Sequence, residues 1–185
     1  MKSINRKHMI WMAILVLLLV YFSENIYGYY RFKQYCWNEG GLRVYEKLEK
    51  NEIWLADDKF SAKSIAIIPY VGISKFLNEK NNQLYDVFFL GGKINKRSSY
   101  SIKPSGNDQP VKYFFKSKNI KVADEIRLKK VSYIVKRSVD EKLMLEFNSF
   151  YYSRLNKKNT ILGAPSISSC HNVDLIKRSL KNIFK

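Results

Sequence analysis

Residues 9–22 of the chain, Met-Ile-Trp-Met-Ala-Ile-Leu-Val-Leu-Leu-Leu-Val-Tyr-Phe, run fourteen positions without a charge. A helix that is apolar on every side has no polar face to leave in water, so a core or a bilayer must take it up. At about 1.5 Å rise per residue the run covers about 21 Å, against a hydrocarbon thickness of about 30 Å, and at that length a buried core helix competes. The flanks favour the bilayer. Lys2, Arg6 and Lys7 precede the run as a positive n-region, and Tyr21, Phe22, Tyr27, Tyr29 and Tyr30 crowd its exit like an interfacial aromatic belt. Including His8 and Ser23, with Lys7 snorkelling, lengthens the span to about 24 Å, which some bilayer thinning accommodates. Residues 9–22 therefore read as a transmembrane signal-anchor, with Trp11, Leu15, Leu18, Tyr21 and Phe22 as anchoring side chains and residues 1–8 as a cytoplasmic n-region.

Cleavage after export needs small residues at a processing site. Between Val16 and Tyr35 the only ones are Ser23 and Gly28, not in an A-x-A-like arrangement, so the anchor is expected to stay. Lipid attachment is disfavoured because Cys36 lies fourteen residues past the run. The cations before the run outweigh the balanced flank of Glu24, Arg31, Lys33 and Glu39, which places the N-terminus inside and the rest of the chain outside. For a bacterial cell that is a single pass through the inner membrane with the C-terminal part in the periplasm.

Beyond the anchor there is one domain's worth of chain, and an aromatic content of 15% supplies material for a core. The chain carries a net charge of +17; three cations precede the run and all sixteen acidic residues come after it, which leaves the outer part at +14. Such a field favours anionic neighbours: lipid head groups, an anionic envelope polymer, or nucleic acid. The cations are scattered, however, and scattered lysines are ordinarily solvated faces.

Residues 23–36 continue as a juxtamembrane helix, and residues 37–185 form the outward domain. Gly40-Gly41 predicts a tight reversal into a strand with Val44 and Tyr45. The apolar runs 64–71 and 84–90 read as partly buried strands, with 93–103 as a hairpin partner, 104–110 as a loop and 111–116 as a further strand. The clearest period-2 signal, Val131, Tyr133 and Val135 in one segment and Leu143, Leu145 and Phe147 in the next, predicts an antiparallel hairpin turning at Ser138-Val-Asp140-Glu141. The second of these strands extends toward Phe150 and Tyr152, after which 156–159 turns and 163–166 forms a loop. Val173, Ile176, Leu180 and Ile183 fall on one face of a C-terminal helix, with Asn172 at its cap. The predicted fold is α+β: an N-terminal transmembrane helix, then one domain with an antiparallel sheet and a packed C-terminal helix, all helices on one side.

The pattern Cys36-x-x-Glu39-Gly40-Gly41-x-x-Val44-Tyr45-Glu46 behind an N-terminal anchor, with Cys170 before a short final helix, resembles a group of small membrane-anchored or lipoprotein-like envelope proteins of Gram-negative bacteria. The resemblance covers the two ends of the chain and implies no activity. Here a helix takes the place of the lipid found on the lipoprotein members.

In an oxidising compartment two isolated cysteines, Cys36 and Cys170, read first as a disulfide. Closing so long a loop stabilises a fold by up to about 5 kcal/mol. Bridging them would pin the C-terminal helix to the root of the domain, and their Cα atoms are predicted to lie within about 7 Å. Cys170 as a nucleophile beside His171 is the weaker reading, because neighbours on an extended chain point apart. No zinc spacing, phosphate loop or G-x-S-x-G is present, so no metal or cofactor is assigned. The carboxylate doublets Asp57-Asp58, Asp124-Glu125 and Asp140-Glu141 read as loops or exposed ends. Lys112-Tyr-Phe-Phe-Lys116 could stack nucleic acid, yet it is also what a half-buried strand looks like, and nucleic acid is disfavoured in an outward compartment. A pilin-like role lacks the acidic residue that resemblance to pilins would put early in the apolar helix. The function expected is a non-enzymatic envelope protein with a basic interaction or structural domain, whose partners are the membrane, an anionic lipid or polymer, or another envelope protein. The alternative is a membrane-tethered hydrolase acting on an anionic envelope polymer.

Overall fold

A computed structural model of the chain describes residues 6–93, 96–106, 109–122, 127–153, 167–170 and 182–185. It opens on α1 (Arg6–Asn38), one unbroken helix of 33 residues, about 50 Å long at 1.5 Å per residue. The apolar run and the juxtamembrane helix are thus one element. Its inner end closes where the amides of Glu39 and Gly40 both donate to the Tyr35 carbonyl, at 2.9 and 3.1 Å. Gly41, at φ 107°, then turns the chain into β1 (Gly41–Val44). A side chain there would meet the backbone strain that glycine avoids, so the reversal expected at the paired glycines is realised.

Among the described residues the domain is a nine-stranded sheet built from β2 (Glu52–Ala56), β3 (Val71–Asn78), β4 (Gln83–Lys93), β5 (Lys96–Pro104), β6 (Tyr113–Lys121), β7 (Leu128–Arg137), β8 (Leu143–Ser153) and β9 (Ile167–Ser169) together with β1. The order across it is β1-β8-β7-β6-β2-β3-β4-β5, with β9 alongside the last residues of β8. The β7–β8 hairpin is the one its alternation predicts, pairing Val131, Tyr133 and Val135 with Ser149, Phe147 and Leu145. β4 and β5 form the second expected hairpin.

The sheet is mixed, which corrects the antiparallel expectation. β2 runs parallel to both β3 and β6. The apolar run 64–71 does not form the strand its β-branched residues predict; its first part completes α2 (Lys59–Ala66), and β3 begins only at Val71. Asp58 caps the helix by accepting from the Ser61 amide at 2.7 Å, and Ala62 and Ile65 are buried against the sheet. Parallel neighbours need a crossover of about a dozen residues or more, and residues 57–70 supply it.

Alternation along β8 separates two cores. Leu145 joins Trp54, Phe115, Val135 and α2 on one face, whereas Phe150 and Tyr152 join Phe32 of α1 on the other. Helices therefore cover both faces, not one. The expected C-terminal helix falls mostly on 171–181, outside the described residues, as do Val173, Ile176, Leu180, the turn at 156–159 and the loop at 163–166. Ile183 is buried in the larger core, and Leu48 pairs with Phe184, which returns the end of the chain to the sheet.

At the end of the β7–β8 hairpin, Arg137 forks onto Asp140, with Nε to Oδ1 at 3.0 Å and Nη2 to Oδ2 at 2.7 Å, and Lys142 and Arg137 both reach Glu46. The hydrogen bond from Arg137 holds the Asp140 carboxyl at about 2, below its usual 3.8. Lys142 lowers Glu46 in the same sense. A depressed carboxylate binds its proton more readily in the unfolded chain, so its contribution is present above about pH 4 and lost as pH falls through about 2. Acid titration of the folded domain followed by circular dichroism should show destabilisation across that interval, smaller in Asp140→Asn than in the parent; an unchanged acid profile would contradict the assignment.

Candidate functional site

The apolar outer half of α1 has no protein cover among the described residues. Trp11, Leu15, Leu18, Tyr21 and Phe22 are all exposed, Trp11 by 71% and Tyr21 by 67%, and no part of the most apolar 18-residue window is buried. A soluble core helix would be enclosed, so this half meets the length and composition of a membrane-crossing anchor or a signal segment. The helix runs unbroken through residues 8–23, the uncharged stretch between Lys7 and Glu24, about 24 Å of helix.

The inner half of α1 is docked. Phe32 stacks on Tyr152 with ring centroids 6.0 Å apart, Tyr35 meets Phe150 at 5.4 Å, and Tyr29 contacts both Phe32 and Tyr152. Leu128 completes this second core. Cys36 and Cys170 close it with a disulfide, Cα to Cα 5.4 Å, across 134 residues of sequence. The predicted bridge is present, and Cys170 therefore has no thiol to act as a nucleophile.

Where the helix first meets the sheet, Arg127 donates to Asn25 Oδ1 at 2.6 Å and pairs with Glu24 at 3.2 Å, and the Tyr152 hydroxyl donates to the Asn25 carbonyl at 3.3 Å. One turn on, a Cβ on Gly28 would lie 2.6 Å from the Tyr152 hydroxyl and 2.9 Å from its ring. Gly28 weakens the helix by propensity, and this close approach is its structural reason. The sequence alone gives it no such role.

The carboxylate doublets are occupied with structure. Asp57 accepts the Ser117 amide at 2.8 Å, Asp58 caps α2, and Asp140 holds Arg137; Asp124 and Glu125 lie outside the described residues. Gly91 and Gly92 sit at irregularities in the β4–β5 ladder, both at positive φ, rather than in a phosphate loop. Tyr113 and Phe115 of the lysine-flanked segment are core residues, so only its lysines and the half-buried Phe114 remain toward the surface. A buried ion pair has no counterpart among the sequence expectations: Lys75 Nζ lies 3.3 Å from Asp86 Oδ1 and donates to Ser105 Oγ at 2.6 Å, with the lysine side chain 2% exposed. Its only sequence signal is Lys75 within β3 and Asp86 between Tyr85 and Val87 of β4, on two strands that turn out to be neighbours.

Among the described residues no group of three metal-binding side chains comes together. A concavity of about 180 Å³ beside the larger core is lined by aliphatic and aromatic residues such as Leu48, Trp54, Phe115, Tyr133 and Phe147, and among the described residues by no carboxylate, imidazole, thiol or amine. No family model matches the chain, and neither a curated protein nor a solved structure matches it.

The docked seam makes Gly28 the sensitive position. Leucine is the better helix former by about 1 kcal/mol, but at this contact overpacking costs roughly 1–3 kcal/mol. Denaturant unfolding in detergent micelles should find Gly28→Leu less stable than the parent; a gain in stability would mean that the helix does not sit on Tyr152.

Proposed function

We propose that the chain is a single-pass protein of the bacterial inner membrane whose outward domain, in the periplasm, serves as an interaction or structural module without catalysis of its own. The observation that carries this reading is the division of α1: an apolar half with no protein cover among the described residues and a docked half locked by a disulfide. Uncovered apolar surface on that scale needs lipid, and a disulfide between the ends of the domain fits an oxidising compartment. The charge asymmetry around the run supplies the direction. The suggested kinship with small envelope proteins of Gram-negative bacteria agrees with it and rests on the Cys36 to Glu46 pattern.

The tethered-hydrolase alternative gains no support from the concavity beside the core: among the described residues its lining offers the phenol of Tyr133 but no carboxylate, imidazole, thiol or amine to work with it. A C-terminal fusion tests the topology. An alkaline phosphatase reporter, which folds only after export, should be active there, and a reporter active only in the cytoplasm should be silent. The reverse pair of results would overturn the proposal.

A further inference from the structure

We infer that the edge of the sheet nearest the anchor is a docking surface for anionic phospholipid head groups of the membrane that holds α1. The inference rests on the anchored reading above and adds a ligand chemistry to it. Its first ground is distance along the helix. The apolar run ends at Phe22, and the sheet is already in contact with α1 at Glu24 and Asn25, through Arg127 and Tyr152. Three helical residues rise about 4.5 Å. The head-group layer is about 5–8 Å deep on each side of the hydrocarbon, so this edge lies within it rather than above it.

The second ground is the charge placed there. The last pair of the β6–β7 ladder sets Lys121 directly opposite Lys129, and Lys129 faces Tyr151 on β8. Like charges opposed across a ladder destabilise it. Both lysines are exposed, and neither forms an ion pair among the described residues, whereas Lys130, one position farther along β7, is held by Glu39. Two exposed ammonium groups with no ion pair among the described residues, beside an exposed tyrosine and at head-group depth, are suited to phosphate oxygens. The far end of the same hairpin is different: its cations Lys112, Lys136 and Arg137 are paired with Glu49, Glu141 and Asp140.

The test is lysine acetylation of the full chain in nanodiscs, read by mass spectrometry, with zwitterionic discs compared with discs containing phosphatidylglycerol. Lys121 and Lys129 should react about fivefold more slowly in the anionic discs, with the difference removed by high salt. Lys50 and Lys142, near the opposite end of the strands, should react alike in both. Asp124 and Glu125 in the β6–β7 connection are present in both discs, so slowing that arises within the chain would be the same in each. Equal rates for Lys121 and Lys129 in chain that co-purifies with the discs would overturn the lipid contact and leave the anchor standing. Chain that fails to enter either disc would overturn the anchor itself and the contact with it.

Discussion

The stacking of Tyr29, Phe32 and Tyr35 on Phe150 and Tyr152 is the contact that makes helix and sheet a single object. Without it, α1 would be an apolar helix joined to a sheet by a flexible neck. With it, the helix that carries the apolar run and the strand that organises the domain are one body. The disulfide acts at the same place. A bridge over 134 residues limits the unfolded chain, a stabilisation of up to about 5 kcal/mol before native strain, and it holds the seam closed at the end farthest from the anchor. Arg127, Asn25 and Glu24 hold the near end.

The larger core on the other face has a separate logic. Trp54, Tyr113 and Phe115 come from a parallel pair of strands, and α2 covers them with Ala62 and Ile65. The Ser74 hydroxyl ties strand to helix by donating to the Ala62 carbonyl at 2.8 Å. This core contains no residue of α1. The sheet therefore has a side that faces the anchoring helix and a side that does not, and the tail of the chain, through Ile183 and Phe184, packs on the second.

Periodicity makes the β7–β8 hairpin legible, because a half-buried antiparallel strand writes its faces as alternating residues. The disulfide is legible from compartment and count, and the turn at Gly41 from glycine chemistry. The crossover helix is not. Ile65, Ile67 and Ile68 carry the β-branched signal of a strand, and only the cap at Asp58 and the spacing of Ala62 and Ile65 speak for a helix of eight residues. Once that helix is missed, the parallel pairing of β2 with β3 is missed too. The buried Lys75–Asp86 pair and the Gly28–Tyr152 contact depend on partners 11 and 124 positions away. A local window does not see such pairings, since tertiary contact sets them.

Because α1 is one unbroken helix from the apolar run to the disulfide, the expected consequence is a fixed angle between the apolar run and the domain. Electron spin distance measurement on the full chain in nanodiscs tests this, with labels introduced as non-natural amino acids at Ile10, on the exposed outer half of the helix, and at Val139, at the exposed tip of the β7–β8 hairpin. A rigid helix gives a single narrow distance distribution that broadens when Cys36–Cys170 is reduced. A broad or two-peaked distribution in the oxidised protein would place a hinge between Phe22 and Tyr29 and contradict it.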